Sequence, residues 1–208
     1  TRAAIMTGKH PARVNITDWI PGLEEQPHYN NKNKPLIGPQ DLNELPLSEI
    51  TIAEVLKKNG YKTFYSGKWH LGSEGHYPED QGFDINIGGF EKGSPMGGYY
   101  TPYKNPKLED GPEGEYLTDR LTQETIDFID SRDESKPFAA FLAFYNVHTP
   151  IQENKEFYDY YIEKLKGYDD IEPVTKKEGD AITLLNQRNA KYASVSYTHL
   201  TLPTTRAV

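Results

Sequence analysis

The sequence predicts an α/β fold in which a mixed or parallel sheet is flanked by helices. Two pairs of segments predict it. A short capped helix at 51–60 runs straight into an aromatic-rich strand, "YKTFYSG". An amphipathic segment, "EYLTDRLTQETIDFID", is followed by the unbroken apolar run of "PFAAFLAFYNVHTP". Helix, strand, helix, strand is the order in which helices cover the faces of a sheet.

In chain order, residues 21–47 are rich in Pro, Asn and Gly and read as a long surface loop. In "ITIAEVLKKNG", Thr51 and Glu54 have the spacing of a capping box, and Ile50 and Val55 that of a hydrophobic staple. Ile52, Val55 and Leu56 share one face, and Gly60 suits the left-handed residue after a helix end. The following strand is built of aromatic and Thr residues. From Ser73 to Pro106 the chain is dense in Gly, Pro and Tyr, and no regular element is assigned. Leu117, Leu121, Thr125, Phe128 and Ile129 then recur at helical spacing. The apolar run Phe138–Tyr145 has the pattern of a strand buried on both faces, as in a parallel sheet.

Composition narrows the chemistry. A net charge of -8 over 208 residues argues against nucleic acid and against an anionic membrane surface as partners. The mean hydropathy of -0.76 leaves no stretch able to span a bilayer. Cysteine is absent, so these residues offer neither a disulfide nor a thiol nucleophile. An anionic ligand would need a local cationic pocket in an otherwise acidic chain.

The places for such a pocket are the carboxyl ends of the parallel strands, where open α/β sheets bind ligands. His148 follows the "FAAFLAFY" strand, and Lys68 and His70 follow "YKTFY". If the backbone stays extended, residues two apart point to one side, so Lys68 and His70 converge while Trp69 packs the other way. Taken singly, a His after a strand or a lone Lys is an ordinary surface residue. Together, a point charge that binds sulfate or phosphate and an imidazole that moves protons make an oxyanion site. His10, His28 and His76 have no partner at ligand spacing and read as structural or solvent-facing. The Tyr-rich stretches "GGYYTPY" and "EFYDYYIEK" read first as packing, with sugar stacking as the alternative.

These residues carry a resemblance. "GYKTFYSGKWH" resembles the second signature of the sulfatases: Gly-Tyr-x-Thr, two free positions, Ser-Gly-Lys, an aromatic and His. "TRAAIMTG" is similar to the latter half of the first signature, in which a Cys or Ser, any residue and Pro precede Ser/Thr-Arg. "FLAFYNVHTP" resembles the strand that ends in a catalytic His-x-Pro, and "GFDINIGG" and "EYLTDRLTQETIDFI" fit the same family.

The resemblance implies an alkaline-phosphatase-like α/β fold, incomplete at both ends, and a formylglycine-dependent sulfuric ester hydrolase as the parent. It implies a partial catalytic domain over 1–194. The nucleophile, formylglycine made from Cys or Ser, is then expected three residues ahead of Thr1. Arg2 matches the motif Arg that anchors it, and Lys68 the Lys that binds sulfate and nucleophile. His70 matches the His that helps collapse the enzyme-bound sulfate, and His148 the one near the leaving oxygen. Calcium is the implied metal, with ligands outside this chain. The implied partners are a sulfated carbohydrate or aryl sulfate, and a formylglycine-generating or anaerobic maturase. The implied location is the periplasm or the exterior. The rivals are a phosphatase or phosphodiesterase of the same superfamily and a noncatalytic glycan-binding module. Residues 195–208, "VSYTHLTLPTTRAV", break the helical period and resemble translated adapter sequence, so a non-native tail is expected there and His199 gets no role.

Overall fold

The computed structural model describes residues 1–21, 41–168, 174–178, 181–185 and 188–201, which fall into two compact units, 1–145 and 146–208. Most of the loop expected over 21–47 therefore lies outside the described residues, as does His28.

The first unit begins with a helix the sequence reading did not assign, α1 (Arg2–Thr7), which ends on Gly8 in the left-handed conformation. Helix α2 (Ile52–Lys58) has the expected capping box: the Thr51 hydroxyl accepts from Glu54 N, and the Glu54 carboxylate accepts from Thr51 N. The expected staple and apolar face are not what the helix buries. Ile50 is 68% exposed, Ile52 and Val55 are exposed too, and Ala53 faces the core. The helix docks through its end instead, because the buried Thr51 hydroxyl donates to the Gln81 carbonyl at 2.6 Å.

Strand β1 (Lys62–Gly67) is the centre of a three-stranded parallel sheet. On one side lies β2 (Ile85–Ile87), a strand missing from the sequence reading, paired Phe64 with Ile85 through Ser66 with Ile87. On the other lies β3 (Phe138–Ala143), paired Lys62 with Phe138 through Gly67 with Ala143. Parallel neighbours need a crossover, and α3 (Leu117–Ser131) lies in the connection between β2 and β3. It buries Leu117, Leu121, Thr125 and Phe128, the spacing read from the sequence. Strand β3 is half-buried along its length rather than enclosed on both faces, because it is an edge of this sheet.

Alternation along β1 sorts the core into two clusters. Phe64 stacks on Phe128 of α3 at 4.5 Å, and the Ser66 hydroxyl donates to the Leu121 carbonyl. Tyr65 points the other way and meets Trp69 and Phe83 edge-on at 5.2 and 5.0 Å. The second cluster is gathered around Tyr99, Tyr103, Leu121 and Tyr145.

The second unit contains α4 (Lys155–Lys166), a two-stranded antiparallel pair, β4 (Thr175–Glu178) and β5 (Ala181–Leu184), and α5 (Ala190–Thr201). Asn154 caps α4 by accepting from Glu156 N, and its own N–H donates to Ser194 Oγ of α5 at 3.1 Å. The helical period does not break at 195. Val195 is buried, and α5 runs on to Thr201, two residues short of Pro203.

Gly67 closes β1 at φ 100°, and a Cβ there would stand 2.1 Å from the Ala143 carbonyl oxygen. Gly67→Ala is therefore expected to cost more than about 3 kcal/mol or to prevent folding, read by urea unfolding followed by circular dichroism. A change below about 1 kcal/mol would show that the seam between β1 and β3 tolerates a side chain. Thr51→Ala, which removes the cap and its bond to Gln81, is expected to cost about 2 kcal/mol in the same assay.

Candidate active site

The end of β1 is where backbone geometry delivers a charge. With Gly67 in the left-handed region and no Cβ in the way, the chain turns against β3 and Lys68 N donates to the Ala143 carbonyl at 2.7 Å. From below, the Tyr65 hydroxyl donates to the Lys68 carbonyl at 2.5 Å. Trp69 is fully buried, its indole N–H donating to the His76 carbonyl, so the core grips the residue next to Lys68 as the sequence predicts.

The backbone does not stay extended beyond this point. His70 sits at φ 55°, and its ring lies against Gly93, where an added Cβ would stand 2.3 Å from His70 Cε1. Its main-chain N–H donates to the Phe90 carbonyl, and its Nε2 donates to the Ile20 carbonyl at 2.6 Å. The convergence of Lys68 and His70 expected from strand alternation thus loses its premise. The turn at Gly67 and the positive φ of His70 replace it.

The group the fold does bring to Lys68 is Arg2, from the first turn of α1. Its charge bears on Lys68 and on the hydroxyls of Tyr65 and Tyr145. Burial pushes both of those phenols well above the ordinary tyrosine range, so both stay protonated and able to donate. Tyr65 and Tyr145 were missed in the sequence, where they read only as strand aromatics. His148 belongs to the second unit, is exposed, and has Nδ1 3.0 Å from the Thr149 carbonyl. His10 caps a short turn, accepting from Ala12 N, and His76 Nδ1 lies 3.3 Å from a Glu44 carboxylate oxygen; both fit structural roles. Among the described residues, no three His, Asp or Glu side chains cluster as metal ligands.

The family model described as Sulfatase matches residues 1–202. The chain belongs to the sulfatase family. It is 32% identical over 142 residues to mouse arylsulfatase J, covering 61% of this chain and 23% of that one. It is 30% identical over 179 residues to the arylsulfatase of Hemicentrotus pulcherrimus, covering 76% and 30%. The chain thus spans less than a third of the length of these relatives. The fold matches that of Ps i-CgsB, solved in complex with k-i-k-neocarrahexaose. There the TM-score is 0.57 at 24% identity, covering 94% of this chain and 40% of that one.

In this sulfatase the like charge of Arg2 bears on the half-buried Lys68. Neither Arg2 nor Lys68 forms an ion pair with a carboxylate among the described residues, whereas Lys9, Lys57, Lys62 and Lys107 all do. Burial, and then the like charge of Arg2, lower the Lys68 pKa from 10.5 to about 8. The unfolded chain holds that proton up to the ordinary value. Unfolding therefore takes up a proton between pH 8 and 10.5, and Lys68 makes the fold more stable as pH rises through that window. Below it, the charged pair is a strain that a bound oxyanion would relieve.

Titrating the 208-residue chain with isotope-labelled lysine is expected to give one ammonium with a midpoint near 8, absent in Lys68→Met. Inorganic sulfate is expected to move that midpoint upward, since an anion favours the charged form. A Lys68 midpoint at the ordinary value without sulfate would refute its half-buried setting beside Arg2, and a midpoint unmoved by Arg2→Ala would leave burial as its sole cause.

Proposed function

We propose that the protein to which these residues belong hydrolyses sulfate esters on glycans. The observation that carries this reading is Lys68: a half-buried cation just past the carboxyl end of a parallel strand, held by its main chain to Ala143, with no carboxylate partner among the described residues and with the like charge of Arg2 bearing on it. A sulfate ester gathers negative charge on its nonbridging oxygens as it breaks, and a fixed ammonium placed there stabilises that charge more than the ground state. Family membership through arylsulfatase relatives supports sulfate over phosphate. The oligosaccharide bound to Ps i-CgsB supports a glycan as the substrate.

The roles follow the residues. Lys68 holds the sulfate oxygens, and Arg2 orients the position ahead of Thr1. His70, whose Nε2 donates to the Ile20 carbonyl, holds its turn and would be the second imidazole available to move a proton there. His148 gives a proton to the departing sugar oxygen, which an alcohol needs because it is a poor leaving group. A hydrated formylglycine ahead of Thr1 would supply the attacking oxygen, and Arg2 and Lys68 suit its partial negative charge. Calcium does not fit the described residues, which offer no cluster of hard ligands, and no role here depends on it. With the family come a maturase as partner and a periplasmic or extracellular site of action; a catalytic domain ending near 194 and a non-native origin for 195–208 rest on the sequence of that stretch alone.

The purified 208-residue chain is expected to show no turnover of nitrophenyl sulfate, and any turnover abolished by Lys68→Ala would contradict a nucleophile ahead of Thr1. In the full-length enzyme, Lys68→Ala is expected to lower kcat/KM by about 10²-fold or more. His148→Ala is expected to lose about 10²- to 10⁴-fold on a sugar sulfate and far less on nitrophenyl sulfate, whose leaving group needs no proton. Equal losses on the two substrates would remove His148 from the acid role.

A further inference from the structure

The second unit holds a cleft that the reaction above does not use. It lies between α4 and α5, has a volume of about 250 Å³, and is walled by Tyr161, Lys164 and Tyr168 on one side and Arg188 and Asn189 on the other. Leu165, Ala190 and Ala193 form its apolar remainder. Among the described residues no carboxylate lines it, in a chain whose net charge is -8. This is the stretch "EFYDYYIEK", whose aromatic density the sequence left open between packing and sugar contact.

The structure divides that density. Phe157 and Tyr161 meet Tyr197 of α5 at 5.0 and 5.9 Å, which is packing between the helices. Tyr160 also reaches Tyr197, at 6.4 Å, yet it is 58% exposed, and Tyr168 is 48% exposed. Lys164 sits 5.8 Å from the ring centres of both Tyr160 and Tyr161 and pairs with no carboxylate among the described residues. Lys166, two residues on and therefore turned to another face of the helix, pairs with Glu163 instead. A cation steadied over aromatic rings beside a small cleft suits one class of ligand: a saccharide whose apolar ring face lies on tyrosine and whose acidic substituent meets the ammonium.

We propose that the α4–α5 cleft is a saccharide subsite that binds one sulfated sugar unit of a glycan chain, independently of the Arg2–Lys68 centre. Its size, just under the range of pockets that take drug-sized ligands, suits a single ring rather than an extended chain. The substrate class is taken from the reading above, but the cleft's own chemistry carries the choice of an anionic sugar.

The test is calorimetric titration of the 208-residue chain with a sulfated galactan hexasaccharide and with the same hexasaccharide after chemical desulfation. The sulfated form is expected to bind at least about fivefold more tightly, an advantage that shrinks as salt rises. Lys164→Gln, an exposed change that leaves the helix intact, is expected to remove most of that advantage, and Tyr161→Phe to leave it in place. Tyr168→Ala is expected to weaken both forms by about threefold or more. Lys68→Ala is expected to leave the Lys164-dependent part unchanged. If Lys164→Gln binds the sulfated hexasaccharide like the parent chain, or if both hexasaccharides bind equally, the subsite is refuted. Failure of the hydrolytic reading would show differently: full-length enzyme would bind the sulfated sugar with Lys164 dependence yet release no sulfate.

Discussion

Lys68 owes its place to one close approach of two strands. At the carboxyl end of the sheet, Gly67 and Ala143 are register partners, and the glycine comes so near the opposing carbonyl that no side chain could stand between them. The next amide donates to that same carbonyl. Two strands far apart in sequence are thereby joined at the point where a ligand would sit, and the lysine leaves the joint in one direction. Had the strand ended in any other residue, steric contact would have opened the joint, and the ammonium would have no fixed position from which to act.

A joint of that kind allows a second, less favourable feature. Arg2 and Lys68 repel each other in a half-buried setting, and nothing among the described residues neutralises them. Elsewhere in the same unit the chain pairs its cations freely: Asp84 alone receives Lys57 and Lys62, and Arg120 lies between Glu115 and Glu124. Arg13, Lys58 and Lys104 also lack a carboxylate partner among the described residues but stand exposed to solvent, so it is partial burial without a counter-charge that sets Arg2 and Lys68 apart. A half-buried pair of like charges costs local stability, which an anion bound between them would restore.

Much of the frame could be read from residue order because local signals agree with the packing. The Thr51–Glu54 box, the β1 and β3 runs and the period of α3 all describe elements the structure contains. Strand β2 escaped because three half-buried residues carry no periodicity, and only its parallel partner makes it a strand. The Ile50–Val55 staple was misleading, since spacing specifies where two side chains could meet but not whether a core lies beside them. At the site, Lys68 was placed correctly past its strand, while the companion geometry of His70 was not. The missed signal was Gly67 itself: a glycine closing a strand announces a change of direction, and alternation should not be carried through it. Arg2 as the electrostatic neighbour of Lys68 could come from family resemblance but not from spacing, because 66 residues of chain separate them and only the fold brings them near.

The hydroxyl of Tyr65 gives this arrangement a further property. Its ring is wedged among Trp69 and Phe83, while its oxygen props the carbonyl of Lys68. The hydrophobic interior is thus the mechanical footing of the anion site. A substitution deep among those aromatics, touching no ligand, would tilt the ammonium by fractions of an ångström long before the molecule melted. Selectivity between oxyanions of slightly different size could then drift through changes made entirely out of sight of the solvent.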